Sequence, residues 1–366
     1  MVLNLKIGIV GLPNVGKSTL FNALTNAGAL AANYPFATIE PNVGIVPVPD
    51  ERLDVLAKMY KTNKIVPATV EFVDIAGLVA GASKGEGLGN KFLAHIRECQ
   101  AICHVVRAFK NDDIVRADNK PEDDIVKQAK DDIDIINLEL QLADEETRAK
   151  VEAKRKKDPA DENIPYLTNK PVIYMFNVDE QGLTDKNLQA KLCEVCENYS
   201  FTSIATNGEL LASEPCNDRR ERSGEQKNNF ANHPQAIFVN AKLEEEMSGM
   251  NREERKEFLE SYGVKDDALG ELIKAAYETL GLQSFLTAGK KECRAWTIKK
   301  GSTAPEAAGT IHTDFERGFI AAQICNYADL KELGSEQAVK AAGKLRTEGK
   351  TYIMQDGDVV EFKFNA

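Results

Sequence analysis

Short apolar runs alternate with amphipathic stretches from Leu5 to Leu280. The apolar runs have the length of buried strands, and the stretches between them repeat apolar residues at the spacing of a helix face. Such alternation is typical of a mostly parallel sheet covered by helices. We therefore predict an α/β domain with strands at Leu5–Val10, Val43–Val48, Ala68–Val73, Ile102–Phe109, Pro171–Phe176 and Ala236–Asn240, and helices at Thr19–Ala27, Asp50–Tyr60, Asn90–Gln100, Asp185–Tyr199, Glu244–Ser261 and Asp267–Leu280.

Two stretches interrupt this alternation. Pro121–Lys157 has the pattern of one long polar helix, acidic at its start and basic at its end, and it is too long for a simple crossover between strands. We interpret it as an arm inserted into the α/β domain at about residues 121–165. The polar stretch Ser200–Pro234 is expected to be a surface loop. Both stretches fall within a first domain that we place at residues 1–282.

From Gln283 onward the pattern changes to short strands around one principal helix. Gln355–Asp358 has the composition of a tight turn. The mixture indicates a small α+β, β-grasp-like module at residues 283–366. Its predicted strands are Glu292–Ile298, Phe319–Cys325 and Val359–Phe364, and its predicted helices are Thr303–Ala308 and Glu336–Gly343.

The turn between the first strand and the first helix carries the pattern GxxxxGK[ST] at residues 11–18. Gly11 and Gly16 let the backbone curl so that successive N–H groups point at phosphate oxygens. The following helix adds the positive end of its dipole. Lys17 is expected to reach the β- and γ-phosphates, and the Ser18 hydroxyl to ligate Mg²⁺. The turn therefore predicts a binding site for a nucleoside triphosphate with Mg²⁺ as cofactor.

Two further positions fit a P-loop switch protein. Thr38 lies in an irregular segment where such proteins close a threonine on the γ-phosphate and Mg²⁺, although by itself it is only a threonine in a loop. Asp74 ends a predicted strand and starts a DxxG turn, so it is expected to hold Mg²⁺ through water, with the Gly77 N–H near the γ-phosphate. Leu78 follows, where many GTPases carry a glutamine that orients the attacking water. Leucine cannot do this, so the catalytic group is unknown from the sequence and hydrolysis is expected to be slow.

The strand ending at Phe176 delivers Asn177-Val178-Asp179-Glu180, where a GTPase carries NKxD. The aspartate of NKxD accepts from two donors of guanine, and here its position holds Glu180. If both donors were left poorly paired, each would cost about 1–3 kcal/mol, or roughly thirty- to ten-thousand-fold against GTP in total. Adenine lacks the N1–H, so ATP is favoured unless Glu180 substitutes for the aspartate. Further along, Asn240-Ala241-Lys242 is similar to the SAK turn that packs against the base.

The composition of the chain restricts the class of protein, its cellular location and its partners. The charged fraction of 28% and the net charge of −11 are those of a soluble globular protein that does not bind nucleic acid by overall charge. No apolar run reaches the ~20 residues of a membrane span, and the start of the chain does not have the pattern of a signal peptide. Seven scattered cysteines favour reduced thiols. We expect a cytoplasmic protein with no membrane partner.

These motifs together resemble those of the Obg-like ATPases of the YchF type. The resemblance extends over nearly the whole chain and rests on GLPNVGKST, TIEPN, DIAGL, NVDE and, near the C-terminus, RAWT and AAGTIHTDF. It implies a P-loop G domain with an inserted helical arm, a C-terminal TGS domain, Mg²⁺-dependent ATP hydrolysis and association with ribosomes. It also implies that Ser18 and Thr38 ligate Mg²⁺, and that Asn177, Val178 and Glu180 line an adenine pocket. The residues that it implies for the phosphates are Asn14, Val15, Gly16, Lys17, Ser18 and Thr19.

The chain departs from the family pattern in three places. Family members usually have an arm of two long helices, whereas Pro165 follows the first helix so soon that the returning helix is largely missing. Many members carry a histidine in the loop after the Ile102–Phe109 strand, and the matching position here is Arg116. The polar stretch Ser200–Pro234 is also longer than expected. The mechanism of hydrolysis and any partner of the arm are therefore less well determined by the sequence than nucleotide binding.

Three functions follow as hypotheses. The first is a slow ATP-dependent switch that acts on the ribosome, through its large subunit, as a monomer. The second is an Obg-like GTPase, and the third is a ribosome- or RNA-binding module with nucleotide as a structural ligand. An RNA contact would need local positive charge. Arg148–Lys157 and Lys340–Lys350 provide it, although either could be an ordinary solvated helix face.

Overall fold

A computed structural model of the chain describes residues 5–31, 42–75, 88–111, 124–155, 166–199, 235–264 and 267–365. Its elements form two six-stranded sheets, one for each part of the chain that the sequence pattern distinguishes. The strands are β1 Lys6–Val10, β2 Val43–Pro47, β3 Ile65–Val66, β4 Thr69–Asp74, β5 Ala101–Ala108, β6 Val172–Val178, β7 Gln235–Val239, β8 Leu282–Ala288, β9 Cys293–Lys299, β10 Phe319–Asn326, β11 Arg346–Glu348 and β12 Asp358–Phe364. The helices are α1 Lys17–Ala31, α2 Glu51–Tyr60, α3 Leu88–Glu98, α4 Ile125–Arg155, α5 Lys186–Glu197, α6 Ala241–Glu246, α7 Arg252–Ser261, α8 Ala268–Thr279, α9 Ala304–Ile311, α10 Thr313–Arg317, α11 Tyr327–Leu333 and α12 Glu336–Ala341, with a 3₁₀ turn at Leu167–Asn169.

The first sheet has the order β2-β4-β1-β5-β6-β7, and every neighbouring pair is parallel except β2 with β4. Its central strands are buried on both faces, and all eight residues of β5 are buried. Continuous apolar runs of this kind are what a parallel sheet covered by helices requires. The carboxyl ends of β1, β4, β5 and β6 meet at one edge, which is where ligands bind in open α/β sheets. This arrangement confirms the predicted α/β fold of the first domain.

The long helix α4 lies where the sequence predicts the arm. Its first half packs against the sheet, with Ala129 and Ile133 in a buried cluster that also holds Phe176. Farther along, the buried carboxylate of Asp144 accepts hydrogen bonds from the Leu167 and Thr168 N–H groups at 2.8 and 2.9 Å. These bonds fix the chain where it returns to the sheet. The predicted loss of the returning helix falls on residues 156–165, outside the described residues.

The second sheet has the order β11-β10-β12-β8-β9-β3. Its outermost strand, β3, comes from the first part of the chain and pairs in parallel with β9, Ile65 opposite Cys293. One face of the sheet packs toward α2 and α8, with Leu286 and Ala295 in the larger core. The other face is covered by α9 and has its own apolar cluster. The two parts of the chain are therefore joined by a shared sheet and a shared core.

Side-chain contacts strengthen this junction. Arg52 on α2 pairs with Asp50 at 2.8 Å and with Asp356 of the C-terminal part at 2.7 Å. Asp356 also accepts from the Ser284 N–H at 3.0 Å, so one carboxylate links β8, its own turn and α2. Tyr60 donates to Glu336 at 2.5 Å. Gly357, in the turn beside Arg52, has a φ of 82°, a backbone conformation that favours glycine.

One predicted helix needs correction, and the predicted elements lack several that the structure has, among them β8 and β3. The predicted helix Glu244–Ser261 is two helices, α6 and α7, because Gly249 adopts a φ of 96° and Asn251 starts a new helix with a capping box to Glu254. Strand β8 was absent from the prediction, since it is buried along its first five residues and shows no alternation. The two-residue strand β3 is too short to produce a pattern. Among the described residues, no helix combines the length and apolar character that a membrane crossing requires.

Candidate functional site

The loop between β1 and α1 lies at the carboxyl edge of the first sheet. A Cβ at Gly11 would overlap the Val105 carbonyl of the neighbouring strand, so only glycine lets the loop leave β1 here. Gly16 has a φ of 97°, and a Cβ there would lie 2.5 Å from the Asn177 amide nitrogen. Asn14, exposed at the loop tip, also has a positive φ of 62°. These conformations give the curled backbone that phosphate binding needs.

Lys17 points back into this loop. Its ammonium donates to the Leu12 carbonyl at 2.7 Å, and the residue is only 8% exposed. Burial lowers the pKa of Lys17 to about 8, and the nearby Asp74 carboxylate offsets part of that effect. A cation held out of water in this way gains when an anion arrives, because the phosphate then replaces the solvent that burial removed. The loop thus holds a positive charge ready for a phosphate group.

Asp74 ends β4 beside this ammonium, paired in register with Ile9 of β1. Its Oδ1 atom is buried and has no hydrogen-bond partner among the described residues. Burial raises the pKa of Asp74, and Lys17 counteracts this. A buried carboxylate oxygen without a donor, near the hydroxyl-bearing and exposed Ser18, fits a hard divalent cation such as Mg²⁺. Thr19 follows, half-buried, in the first turn of α1.

Asn177 joins three parts of the site. It is the penultimate residue of β6 and is only 6% exposed. Its Nδ2 donates to the Val15 carbonyl at 3.0 Å, and its Oδ1 accepts from the Ala241 N–H at 3.0 Å. The amide therefore ties the phosphate-binding loop to the turn after β7. In that turn Asn240 caps α6 by accepting from the Leu243 N–H at 3.0 Å, so its side chain supports the turn as well.

The residues after Asn177 differ in what they offer a base. Val178 is 1% exposed, and its side chain packs into an apolar cluster with residues of α4 and α5. Asp179 Oδ1 accepts from the Gly182 N–H at 2.8 Å and is occupied in closing a turn. Glu180 is exposed. Both carboxylates are exposed, but one oxygen of Asp179 is engaged in this turn, whereas the Glu180 carboxylate has no hydrogen bond within the described part of the chain.

The remaining predicted site residues lie outside the described part of the chain. These are Thr38, predicted to ligate Mg²⁺, and Gly77, predicted to contact the γ-phosphate. Leu78 and Arg116, which bear on the rate of hydrolysis, are outside it as well. The described residues bring together Gly11 to Thr19, Asp74, Asn177 and Ala241.

Two buried polar residues of β5 were not anticipated from the sequence. Arg107 lies in register with Asn177, is 3% exposed, and donates to the Asn111 carbonyl at 3.0 Å, with its guanidinium 4.5 Å from the Phe109 ring centroid. His104 is 2% exposed, and burial together with Lys17 lowers its pKa to about 3, so it stays neutral. The signal was present in the sequence, since a histidine and an arginine interrupt an apolar strand where charges are rare.

Sequence profiles of two families match the chain. One, described as "50S ribosome-binding GTPase", matches residues 6–141. The other, for the C-terminal part of YchF GTPases and described as "Protein of unknown function (DUF933)", matches residues 282–365. Together they cover strands β1 to β5 and β8 to β12.

Several characterised proteins are similar along their full length. The Ribosome-binding ATPase YchF of Haemophilus influenzae is 46% identical, with 99% of this chain and 100% of that protein covered. The protein of the same name from Bacillus subtilis is 45% identical, with 99% of each covered. Obg-like ATPase 1 of Pongo abelii is 40% identical over 99% of this chain and 93% of that protein.

A solved structure shares the whole fold. The YchF GTPase of Schizosaccharomyces pombe superposes with a TM-score of 0.78 at 34% identity and covers 98% of both chains. The names of these relatives divide between ATPase and GTPase. These names therefore leave open whether the site prefers adenine or guanine.

Proposed function

The chain belongs to the YchF family of P-loop nucleotide hydrolases, and from this premise we propose that it hydrolyses ATP slowly and acts as a nucleotide-controlled switch on the ribosome. The triphosphate binds in the loop of Gly11 to Ser18, with Lys17 against its β- and γ-phosphates. Asp74, Ser18 and Thr38 hold Mg²⁺. When bound, Mg²⁺ neutralises charge that develops on the phosphate oxygens.

The preference for ATP rests on one observation, the state of the carboxylates after β6. Asp179 is engaged with Gly182, and Glu180 carries one methylene more than the aspartate that recognises guanine in an NKxD motif. The buried Val178 replaces the lysine of that motif. At the motif position that recognises guanine, a base with two donors would thus meet the Glu180 carboxylate at a changed distance, and an unpaired donor costs about 1–3 kcal/mol.

Slow hydrolysis is expected from the residue types at two motif positions of the sequence. Leu78 cannot orient water, and Arg116 cannot act as a base at neutral pH because its guanidinium stays protonated. We expect turnover on the order of 10⁻³ s⁻¹ or below without a partner, as in unassisted P-loop switches. A ribosome or another partner is expected to accelerate the reaction by supplying or ordering the missing group.

The ribosome is the proposed partner because the curated relatives are named for binding it. Thr38 and Gly77 would close on the γ-phosphate in the triphosphate state and open after hydrolysis. The junction of α2, β3 and the second sheet gives such a change a route to the C-terminal part. The protein would therefore bind ribosomes more tightly with ATP than with ADP, acting as a monomer in the cytoplasm.

Two measurements test the proposal. Multiple-turnover hydrolysis of ATP should require Mg²⁺ and should be lost in Lys17→Ala. Sedimentation with ribosomes should recover more protein with a non-hydrolysable ATP analogue than with ADP. A turnover near 1 s⁻¹ without a partner would contradict slow hydrolysis, and equal recovery in the two nucleotide states would contradict the switch. Binding of ATP without any turnover would instead favour nucleotide as a structural ligand.

A further inference from the structure

A row of aromatic rings crosses the α9-covered face of the second sheet and ends at Trp296. Phe319, Phe362 and Phe285 follow one another at centroid distances of 6.1 and 5.6 Å. Phe285 then stacks on Trp296 at 6.3 Å with 10° between the ring planes. The three phenylalanines are buried, whereas Trp296 is half-buried. The tryptophan is thus the open end of a packed row, and its ring is fixed in place.

The guanidinium of Arg294 stacks on this tryptophan. Its Cζ atom lies 3.8 Å from the Trp296 ring centroid, and the indole N–H donates to Thr287 Oγ1 at 2.9 Å. Arg294, Trp296 and Ile298 share one face of β9, since alternate residues of a strand point the same way. Ile298 is 1% exposed and packs with the alanines of α9. Toward the β8–β9 turn this cover is missing, and Arg294 and Trp296 are half-exposed.

Four lysines lie at the ends of β9. Lys290 and Lys291 are exposed in the β8–β9 turn, and Lys300 is exposed just after β9. Lys299 is the exposed last residue of β9, on the face opposite to Arg294 and Trp296. Within the described part of the chain, none of them has a carboxylate within ion-pair distance. The acidic residue of the turn, Glu292, is bound to Lys64 at 2.6 Å. With Arg294, the lysines Lys290, Lys291 and Lys300 form a basic strip along β9, a strand about 20 Å long at a rise of roughly 3.3 Å per residue.

The basic stretch at Lys340–Lys350 is different. Lys344 pairs with Asp329 at 2.6 Å, and Arg346 pairs with Glu348 at 3.4 Å and Asp358 at 3.6 Å. Half of its basic residues are therefore neutralised by neighbours. On the scale of the whole chain, residues 283–366 hold 12 Lys and Arg against 11 Asp and Glu, whereas the preceding residues carry the entire net negative charge. The C-terminal part is where a polyanion meets least repulsion.

We propose that the hairpin β8–β9 is a binding surface for single-stranded RNA, on which a base stacks against the Arg294–Trp296 pair while Lys290, Lys291 and Lys300 contact the phosphates. Unpaired bases stack on aromatic rings and on arginine planes, and a positive groove follows the backbone. A duplex offers no free base face to such a platform. The inference rests on the proposed ribosome association and names the part of the ribosome that would be recognised, an unpaired rRNA segment.

Tryptophan fluorescence reports directly on this surface because Trp296 is the single tryptophan of the chain. An oligoadenylate of about 12 nucleotides, within the usual footprint of such surfaces, should quench it on titration into the full-length protein. A duplex of the same length should not. Absence of quenching by the oligoadenylate, or equal quenching by the duplex, would overturn the proposal.

Three variants separate stacking from charge, with a labelled oligoadenylate followed by anisotropy. Trp296→Leu keeps apolar packing and should weaken binding by about 5- to 150-fold. Arg294→Lys keeps the charge but loses the plane, so affinity should fall while the salt dependence stays unchanged. Lys290→Ala with Lys291→Ala should lower the slope of log affinity against log salt by about 1.4. The matched control, Lys340→Ala with Lys350→Ala, removes the same charge and should leave binding unchanged.

Ribosome sedimentation of the same variants distinguishes this inference from the proposed function. If the wild-type protein does not sediment with ribosomes, the proposed function fails. If it does and the hairpin variants sediment equally well, the hairpin is not the contact and the inference fails. Loss of sedimentation with unchanged oligoadenylate binding would assign the surface to a ribosomal protein and would equally overturn the RNA proposal. Hydrolysis of ATP without ribosomes should be the same in all of these variants.

Discussion

Replacing Asn177 by alanine should damage both stability and nucleotide binding. In the folded protein its amide holds the Val15 carbonyl and the Ala241 N–H, each at 3.0 Å, in a position that is 6% exposed. Truncation leaves one acceptor and one donor without a partner. An unsatisfied buried group costs about 1–3 kcal/mol, and water can reach part of this edge, so we expect a loss of about 2–4 kcal/mol. The same truncation frees the phosphate-binding loop, so the affinity for ATP should fall as well.

Urea unfolding and calorimetric titration with ATP and Mg²⁺ measure the two effects. A loss of that size should lower the unfolding midpoint by about 1 M. The matched control is Asn187→Ala on the exposed side of α5, which should change stability by less than about 0.5 kcal/mol. Asn177→Asp keeps the acceptor for Ala241 but removes the donor to Val15, and it adds a negative charge near the phosphates. Because a buried carboxylate oxygen would then face the Val15 carbonyl, this variant should lose at least as much stability and ATP affinity as alanine. An unchanged midpoint with unchanged ATP affinity in Asn177→Ala would refute this reasoning.

Three more predictions concern charges. Lys17→Ala should abolish hydrolysis and weaken ATP binding, because a charge-assisted contact of about 1.5–3 kcal/mol is lost. It should not lower the stability of the free protein, because the substitution removes a desolvated ammonium. Calorimetric titration measures the ATP affinity, and urea unfolding measures the stability. In the wild type, ATP affinity should fall as the pH rises through about 8, because the free protein loses the Lys17 proton there and binding must restore it. Between that pH and the ordinary lysine pKa near 10.5, the contribution of Lys17 to folding stability should rise, because the unfolded chain then binds a proton that the folded chain has lost. An ATP affinity that does not change with pH would contradict this. Arg52→Ala should lower the unfolding midpoint of the C-terminal part, because it removes the ion pairs of Arg52 with Asp50 and Asp356. The control Arg317→Ala, at an exposed site in α10, should leave the midpoint unchanged. Equal midpoints for the two variants would show that the two ion pairs contribute nothing measurable to stability.

The parts of the fold that could be predicted are those in which local pattern and tertiary structure agree. Mostly apolar runs such as Ala101–Ala108 predict a buried parallel strand. The GxxxxGK[ST] spacing predicts the turn between β1 and α1. Strand β8 could not be separated from its surroundings, because burial on both faces removes the alternation that marks a strand. Strand β3 depends on a partner more than two hundred residues away, and no local signal encodes that pairing.

The site shows the same division. The identity of Lys17 and Asp74 follows from motifs, but the burial that shifts their pKa values comes from packing. Asn177 could be placed near the base from its motif, yet its role as a tie between Val15 and Ala241 needs the positions of three loops. Arg107 and His104 stand out in the sequence only as polar residues in an apolar strand. What they contact depends on neighbouring elements that sequence periodicity does not specify.

Selection of adenine over guanine is the central claim, and paired calorimetric titrations with ATP and GTP, each with Mg²⁺, test it most directly. We expect ATP to bind at least tenfold more tightly, which needs only about 1.4 kcal/mol of the penalty for a poorly paired guanine donor. Glu180→Asp is the matched variant, because it restores the guanine-binding carboxylate at an exposed position without disturbing the buried Val178. It should raise GTP affinity several-fold and leave ATP affinity unchanged. Equal affinities for ATP and GTP in the wild-type protein would contradict the account.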